Sequence, residues 1–164
     1  MTLVDTNVLL DIATNDPKWA AWSLRQLDAA AIRGPVLINA VVYAEFSVGY
    51  ALIEEVDTVL GEVDLKLAET PRSALFLAGK AFQRYRAQGG ARTGVLPDLF
   101  IGAHAAVARF ALLTRDARRT ELTFQAWRSS RPGRRGAEFK ACLRPRTPSS
   151  PSNGWPNPSA PSRR

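Results

Sequence analysis

The chain has 164 residues, a formal net charge of +7, 46% hydrophobic and 23% charged residues, a mixture that suits one folded domain with its own core. One cysteine, Cys142, and one histidine, His104, exclude a disulfide scaffold, a cysteine-based zinc site and a multi-histidine metal centre. No stretch approaches the roughly 18–20 apolar residues that cross a bilayer, and the N-terminus lacks the pattern of a secretory signal, so a cytoplasmic protein is expected.

Leu3-Val4-Asp5 is a short apolar run ending in an acid, and Thr6-Asn7 offers a cap for a helix from Val8 to Ile12. Pro17 opens a second helix, with Ala20, Leu24, Leu27 and Ala31 on one apolar face, and Gly34-Pro35 stops it. Val36-Leu37-Ile38 reads as a strand, and Asn39 caps a helix running to about Tyr50. Ile53, Val56, Leu60 and Val63 mark a further helix. After Thr70-Pro71 another turns Leu75, Ala78, Phe82 and Tyr85 inward and ends at Gly89-Gly90. Pro97 opens the helix holding Asp98 to Ala108, and Phe110 to Leu113 is a buried strand that delivers Thr114, Arg115 and Asp116. Short strands alternating with helices predict an α/β domain over residues 1–124, its short-stranded sheet mostly parallel and flanked by helices. Ligands of such folds sit beyond the carboxyl ends of the strands, where Asp5 and Asp116 lie.

Residues 125–164 read differently. The first 124 residues carry thirteen Lys+Arg against fourteen Asp+Glu, a net −1; the last 40 carry nine against the single Glu138, a net +8. Seven of the eleven prolines also fall there. Without apolar periodicity to offset its ordering entropy, the segment is expected to be a disordered tail from about Trp127. A basic arm for RNA and a tail without a defined structural role are both open.

The informative residues are four acids in apolar company. Glu45 shares a helical stripe with Val41, Val48 and Leu52. Asp98 shares one with Ile101, Gly102, Ala105 and Ala108, and Asp5 and Asp116 each follow an apolar strand. A buried carboxylate without a partner costs several kcal/mol or takes up a proton. Each acid can find its own arginine or backbone cap, or all four can converge, in which case their repulsion demands a divalent cation. An all-oxygen cluster suits Mg²⁺ or Mn²⁺. With no Cys–His pair and no Ser–His–Asp set, metal-assisted hydrolysis is the chemistry that this inventory supports. Asn7 and Thr114 are candidates for orienting a carboxylate or water, or serve as cap and turn residues. Arg115 is a candidate phosphate contact among several arginines. His104, six residues past Asp98, lies about 240° around the helix from it and is not expected in the chemistry.

The run Leu3-Val4-Asp5-Thr6-Asn7-Val8-Leu9-Leu10, Glu45 within Asn39-Ala40-Val41-Val42-Tyr43-Ala44-Glu45-Phe46, the segment Leu96-Pro97-Asp98-Leu99-Phe100-Ile101-Gly102-Ala103-His104-Ala105 and the closing Leu112-Leu113-Thr114-Arg115-Asp116 together resemble a PIN-domain ribonuclease, more narrowly a VapC-type toxin of a bacterial toxin–antitoxin pair. The resemblance covers residues 1 to about 120. It implies an acidic site of Asp5, Glu45, Asp98 and Asp116, with Asp5 and Asp98 as principal Mg²⁺ ligands and Thr114 at the family's hydroxyl position. It further implies endonucleolytic cleavage of RNA, a cognate antitoxin that blocks the site, and a homodimer.

The pattern departs from that family after Leu122, where a short helix and a final strand are expected but the chain enters Trp127-Arg128-Ser129-Ser130-Arg131-Pro132. The composition matches GC-rich DNA read out of frame, so residues beyond about 125 are hypothesised to come from a frameshift or an extended reading frame. Loss of a final edge strand leaves its neighbour unpaired and lowers stability by a few kcal/mol. Two other functions stay open: an RNA- or antitoxin-binding module whose catalysis the altered C-terminus has damaged, and an aspartyl-nucleophile phosphatase, which Asn7 disfavours because that chemistry wants an acid two residues after Asp5.

Overall fold

The computed structural model of the protein describes residues 1–91 and 94–116 and the backbone of residues 141–142. The three residues of β1 (Thr2–Val4) are buried and form the centre of a parallel sheet of order β3-β2-β1-β4-β5. β1 pairs with β2 (Val36–Asn39) on one side and with β4 (Ala111–Leu113) on the other, so that Leu3 lies opposite both Leu37 and Leu112. Connections from β1 thus run to β2 and β3 in one direction, and the chain then returns to the other side of β1 through β4. Between β1 and β4 the strand order reverses, which opens a crevice at their carboxyl ends.

Six helices cover the sheet: α1 (Thr6–Ala13), α2 (Ala20–Arg33), α3 (Ala40–Ser47), α4 (Ile53–Glu62), α5 (Arg72–Ala87) and α6 (Leu96–Ala108). One core joins the sheet to the helices around Leu3, Val4, Val8, Ile38, Val42, Phe46 and Leu113. A second lies between α5 and α6, built on Ala74, Leu77, Ala78, Ala81, Leu99 and Ala103. The alanines let these two helices approach closely, which selects the face of α5. Leu75, expected inward, is exposed, while Ala78 is buried and Phe82 and Tyr85 pack against this core as expected. Leu24 of α2, Ile53 of α4 and Val63 just beyond it are turned outward, leaving Ser23, Leu27 and Ala30, and Val56 and Leu60, as the inner positions.

Asn39 caps α3 as expected, its Oδ1 accepting from the amides of Val41 and Val42 at 3.1 and 3.0 Å. That helix stops at Ser47, short of the expected Tyr50, so the stripe drawn through Glu45 to Val48 and Leu52 does not form. Val48 is 66% and Leu52 59% exposed, and Glu45 is only half-buried. Two strands had no strong signal. β3 (Lys66–Ala68) is an edge strand whose lysine and exposed Leu67 break any apolar run. β5 (Ala141–Cys142) pairs in parallel with β4, setting Ala141 opposite Leu112. It lies inside the segment read as a tail and covers the edge of β4 that the sequence reading left unpaired. The rest of that segment, the proposed frame change included, lies outside the described residues.

His104 is 1% exposed in α6, against Phe110, with Thr70 Oγ1 3.5 Å from its Nδ1. Burial holds its pKa below the ordinary 6.5. The unfolded chain binds the proton more readily, so this group's contribution to stability is complete above about pH 6.5 and is lost as pH falls through the folded value. The melting temperature should fall between pH 7.5 and 5.5, and His104→Gln should flatten that slope. Equal slopes in thermal melts of the two proteins would show that His104 is not held neutral.

Candidate active site

Pairing of Val4 with Leu113 sets the next residues, Asp5 and Thr114, abreast at the mouth of the crevice, and the Asp5 amide donates to the Leu113 carbonyl at 2.9 Å. Asp5 stands at the N-cap position of α1, with extended backbone, yet its side chain makes no capping bond. Helix α1 accordingly starts at Thr6, two residues before the expected Val8. The Asp5 carboxylate is engaged elsewhere. Its Oδ2 accepts from Thr114 Oγ1 at 2.6 Å and from Asn7 Nδ2 at 2.6 Å. Asn7 Nδ2 also lies 3.2 Å from Thr114 Oγ1, to which it donates, and the Asp116 amide donates to the same hydroxyl at 3.0 Å. Thr114 is buried, Asp5 nearly so, and Asp116 half-buried. One hydroxyl thereby links Asp5, Asn7 and Asp116.

Glu45 reaches this end of the sheet through a residue that the sequence reading did not single out. Thr6 Oγ1 donates to Glu45 Oε2 at 2.5 Å, tying α3 to the first turn of α1. Asp98 lies half-buried in the first turn of α6, behind Pro97, where an acid meets the positive end of the helix dipole. A tight turn at Arg109 and Phe110 reverses the chain between α6 and β4, which directs the Asp98 end of α6 toward the carboxyl side of the sheet. The Thr114 hydroxyl thus links the Asp5 carboxylate to the Asp116 main chain, and the Thr6 hydroxyl separately holds Glu45.

The sequence reading also missed Asp11, which is 3% exposed on α1. Its Oδ1 accepts from Arg115 NH1 at 2.7 Å and its Oδ2 from Ser23 Oγ at 2.8 Å. Burial raises its pKa, against the lowering effects of the Ser23 hydrogen bond and the Arg115 charge. The signal was available: an acid inside the apolar run Val8-Leu9-Leu10-Asp11-Ile12 is as costly as the four that were noticed. Arg115 itself, read as a phosphate contact, spends its guanidinium on Asp11 and on the Trp19 ring, 5.4 Å away, while its amide donates to Asn7 Oδ1 at 3.3 Å.

The acids at this end offer only hard oxygen donors, which suit Mg²⁺ or Mn²⁺. Among the described residues no three His, Cys, Asp or Glu side chains come together as a ready-made metal cage. Mg²⁺ does not need one: it keeps several waters and binds through one or two carboxylates plus substrate phosphate. An Asp5 carboxylate oriented by two donors fits that requirement.

A parallel sheet reversing at β1 and β4, with hydroxyl-linked acids at the reversal, defines an α/β protein with an acidic crevice. The PIN-domain family profile matches residues 2–125, and the chain belongs to that family. Solved structures share the fold. A chain of VapBC2 from Rickettsia felis, bound to a promoter DNA fragment, superposes with a TM-score of 0.58 at 18% identity, covering 74% of this chain and 92% of that one. VapBC-1 from nontypeable Haemophilus influenzae gives 0.56 at 16% identity, with 76% and 92% covered. FitAcB from Neisseria gonorrhoeae gives 0.53 at 19%, with 76% and 94% covered. No curated protein matches the sequence significantly. No helix among the described residues is long and apolar enough to cross a membrane.

Replacing the Thr114 hydroxyl by a methyl removes its hydrogen bonds to Asp5, Asn7 and Asp116 at once. Thr114→Val should lower stability by about 1–3 kcal/mol, the cost of leaving buried donors and acceptors unmatched, while Thr114→Ser should recover most of the loss. Urea denaturation decides it; a Val variant as stable as the native chain would mean that the hydroxyl links are dispensable.

Proposed function

We propose that the chain is a divalent-metal-dependent endoribonuclease, the toxic member of a toxin–antitoxin pair. The observation that carries this reading is the convergence of Thr114 Oγ1 and Asn7 Nδ2 on one oxygen of Asp5 at the strand-order reversal. Both donors fix the carboxylate's orientation before any ligand arrives, and preorganised groups need no rearrangement during reaction. Asp5 and Asp98 would hold the Mg²⁺ (Mn²⁺ serving equally), with Glu45 and Asp116 completing the acidic wall directly or through water. Bound there, the ion supplies Lewis-acid polarisation of the scissile phosphate and acidifies the attacking water. Thr6 keeps Glu45 turned toward the crevice, and Thr114 keeps Asp116 beside Asp5.

RNA as substrate, action in the cytoplasm and a homodimeric state belong to this same proposal. Its support for a protein partner is that the solved neighbours are named as VapBC and FitAB assemblies. A cognate antitoxin would then cover the crevice.

Purified protein incubated with total RNA should cut it with Mg²⁺ or Mn²⁺ and stop in EDTA. Asn7→Ala should slow cleavage roughly 10–100-fold, the usual effect of losing a group that orients a ligand, and Asp5→Asn should slow it further. Retained binding without cutting would mark a binding module, and release of phosphate from small esters would mark a phosphatase.

A further inference from the structure

Asn7 and Asp11 are four residues apart on α1 and so present to the same side of the helix. Both hold Arg115. Asn7 Oδ1 accepts the Arg115 amide at 3.3 Å, and Asp11 Oδ1 accepts its guanidinium at 2.7 Å. The residues on either side of Arg115 are Thr114 and Asp116, both in the hydroxyl-linked network around Asp5. Asp11 is in turn fixed by Ser23 of α2, which is fully buried, and the guanidinium lies against Trp19 at the entry to α2. The turn after β4 is therefore clamped to α1 at a main-chain atom and at a side chain.

We propose that Asp11 is a positioning residue of the acidic site, acting through Arg115 to hold Thr114 and Asp116 against Asp5. This rests on the reading of that site as a metal-dependent nuclease centre. A buried ion pair is a poor device for stability alone, since well-packed apolar groups of similar volume often serve as well or better. What apolar groups cannot do is fix the direction of the 114–116 turn, because an arginine held at its guanidinium by a carboxylate and a ring, and at its amide by Asn7, has few alternative placements. The same clamp occupies Arg115, so its first task is inward and not toward substrate.

The test compares the native chain, Asp5→Asn, Asp11→Asn and the double variant Asp11→Leu/Arg115→Met, reading melting temperature, RNA-cleavage kinetics and Mn²⁺ binding by titration calorimetry. The double variant removes both buried charges together, so its melting temperature is expected within a few degrees of native. Its kcat should nonetheless fall at least about tenfold and its Mn²⁺ affinity should weaken by a comparable factor. Asp11→Asn leaves Arg115 in place and frees its charge, and should also lower kcat about tenfold with KM little changed. A double variant that melts, cleaves and binds Mn²⁺ like the native chain would overturn the proposal. If it fails to fold, Asp11→Asn decides: native kcat with unchanged or lower KM would mean that Asp11 merely restrains a phosphate-binding arginine. An Asp5→Asn protein that cleaves and binds Mn²⁺ like the native chain would instead overturn the nuclease reading, and with it this proposal.

Discussion

The structure depends on the register between two strands of three residues each. Val4 opposite Leu113 puts Asp5 next to Thr114. Because side chains alternate along a strand, a slip of one residue would turn the Thr114 hydroxyl to the other face and take one hydrogen bond from a nearly buried carboxylate. Strands this short carry few ladder hydrogen bonds to set their own register. The network around Asp5 therefore contributes to the alignment that creates it, together with the apolar contacts of Leu3, Val4, Leu112 and Leu113. Fold and site are in this sense one arrangement.

Helix α1 shows how little chain that arrangement needs. It has eight residues, and Thr6, Asn7 and Asp11 each reach a different neighbour: Glu45 of α3, the Asp5–Thr114 pair, and Arg115. Such a helix would be marginal alone, and it persists because its apolar residues Val8 and Leu9 are buried in the sheet core. An N-cap acid would ordinarily satisfy the first free amides. Asp5 does not do so, and the capping stabilisation of about 1 kcal/mol is forgone in favour of holding the carboxylate at the crevice.

Much of this was legible in the sequence, and the failures have physical causes. Strands β1, β2 and β4 are buried on both faces or nearly so, and announce themselves as unbroken apolar runs. Helix caps at Asn39 and Pro97 follow from local chemistry alone. Edge strands β3 and β5 lack such a signature, because one is exposed and the other is two residues long within a basic, proline-rich stretch. The faces of α2, α4 and α5 held at Leu27, at Val56 and Leu60, and at Ala78, whereas Leu24, Ile53, Val63 and Leu75 are exposed, because periodicity counts apolar side chains whether or not a neighbour covers them. At the site, Asp5, Asn7 and Thr114, all named from sequence, meet in one hydrogen-bonded group. Thr6 was passed over as a cap; Asp11 stood out locally as an acid in an apolar run, but its partner, Arg115, is 104 residues away, a separation that no local pattern encodes.

The electrostatics follow from these placements. Residues 1–124 are almost neutral in sum, yet Asp5 and Asp116 both follow strands at the carboxyl end of the sheet. Their mutual repulsion is eased there by the N-termini of α1 and α3, which begin immediately after β1 and β2 and each present about half a positive charge. Helix α6 adds a third, with Asp98 in its first turn. Arg115, the nearest cationic side chain to Thr114 and Asp116 in sequence, does not neutralise the crevice, because Asp11 already balances it from inside. An anionic backbone entering such a crevice needs positive charge that this part of the chain withholds. On the proposed nuclease reading, a hard divalent cation held by the oriented Asp5 carboxylate would supply that charge where the acids otherwise repel the substrate.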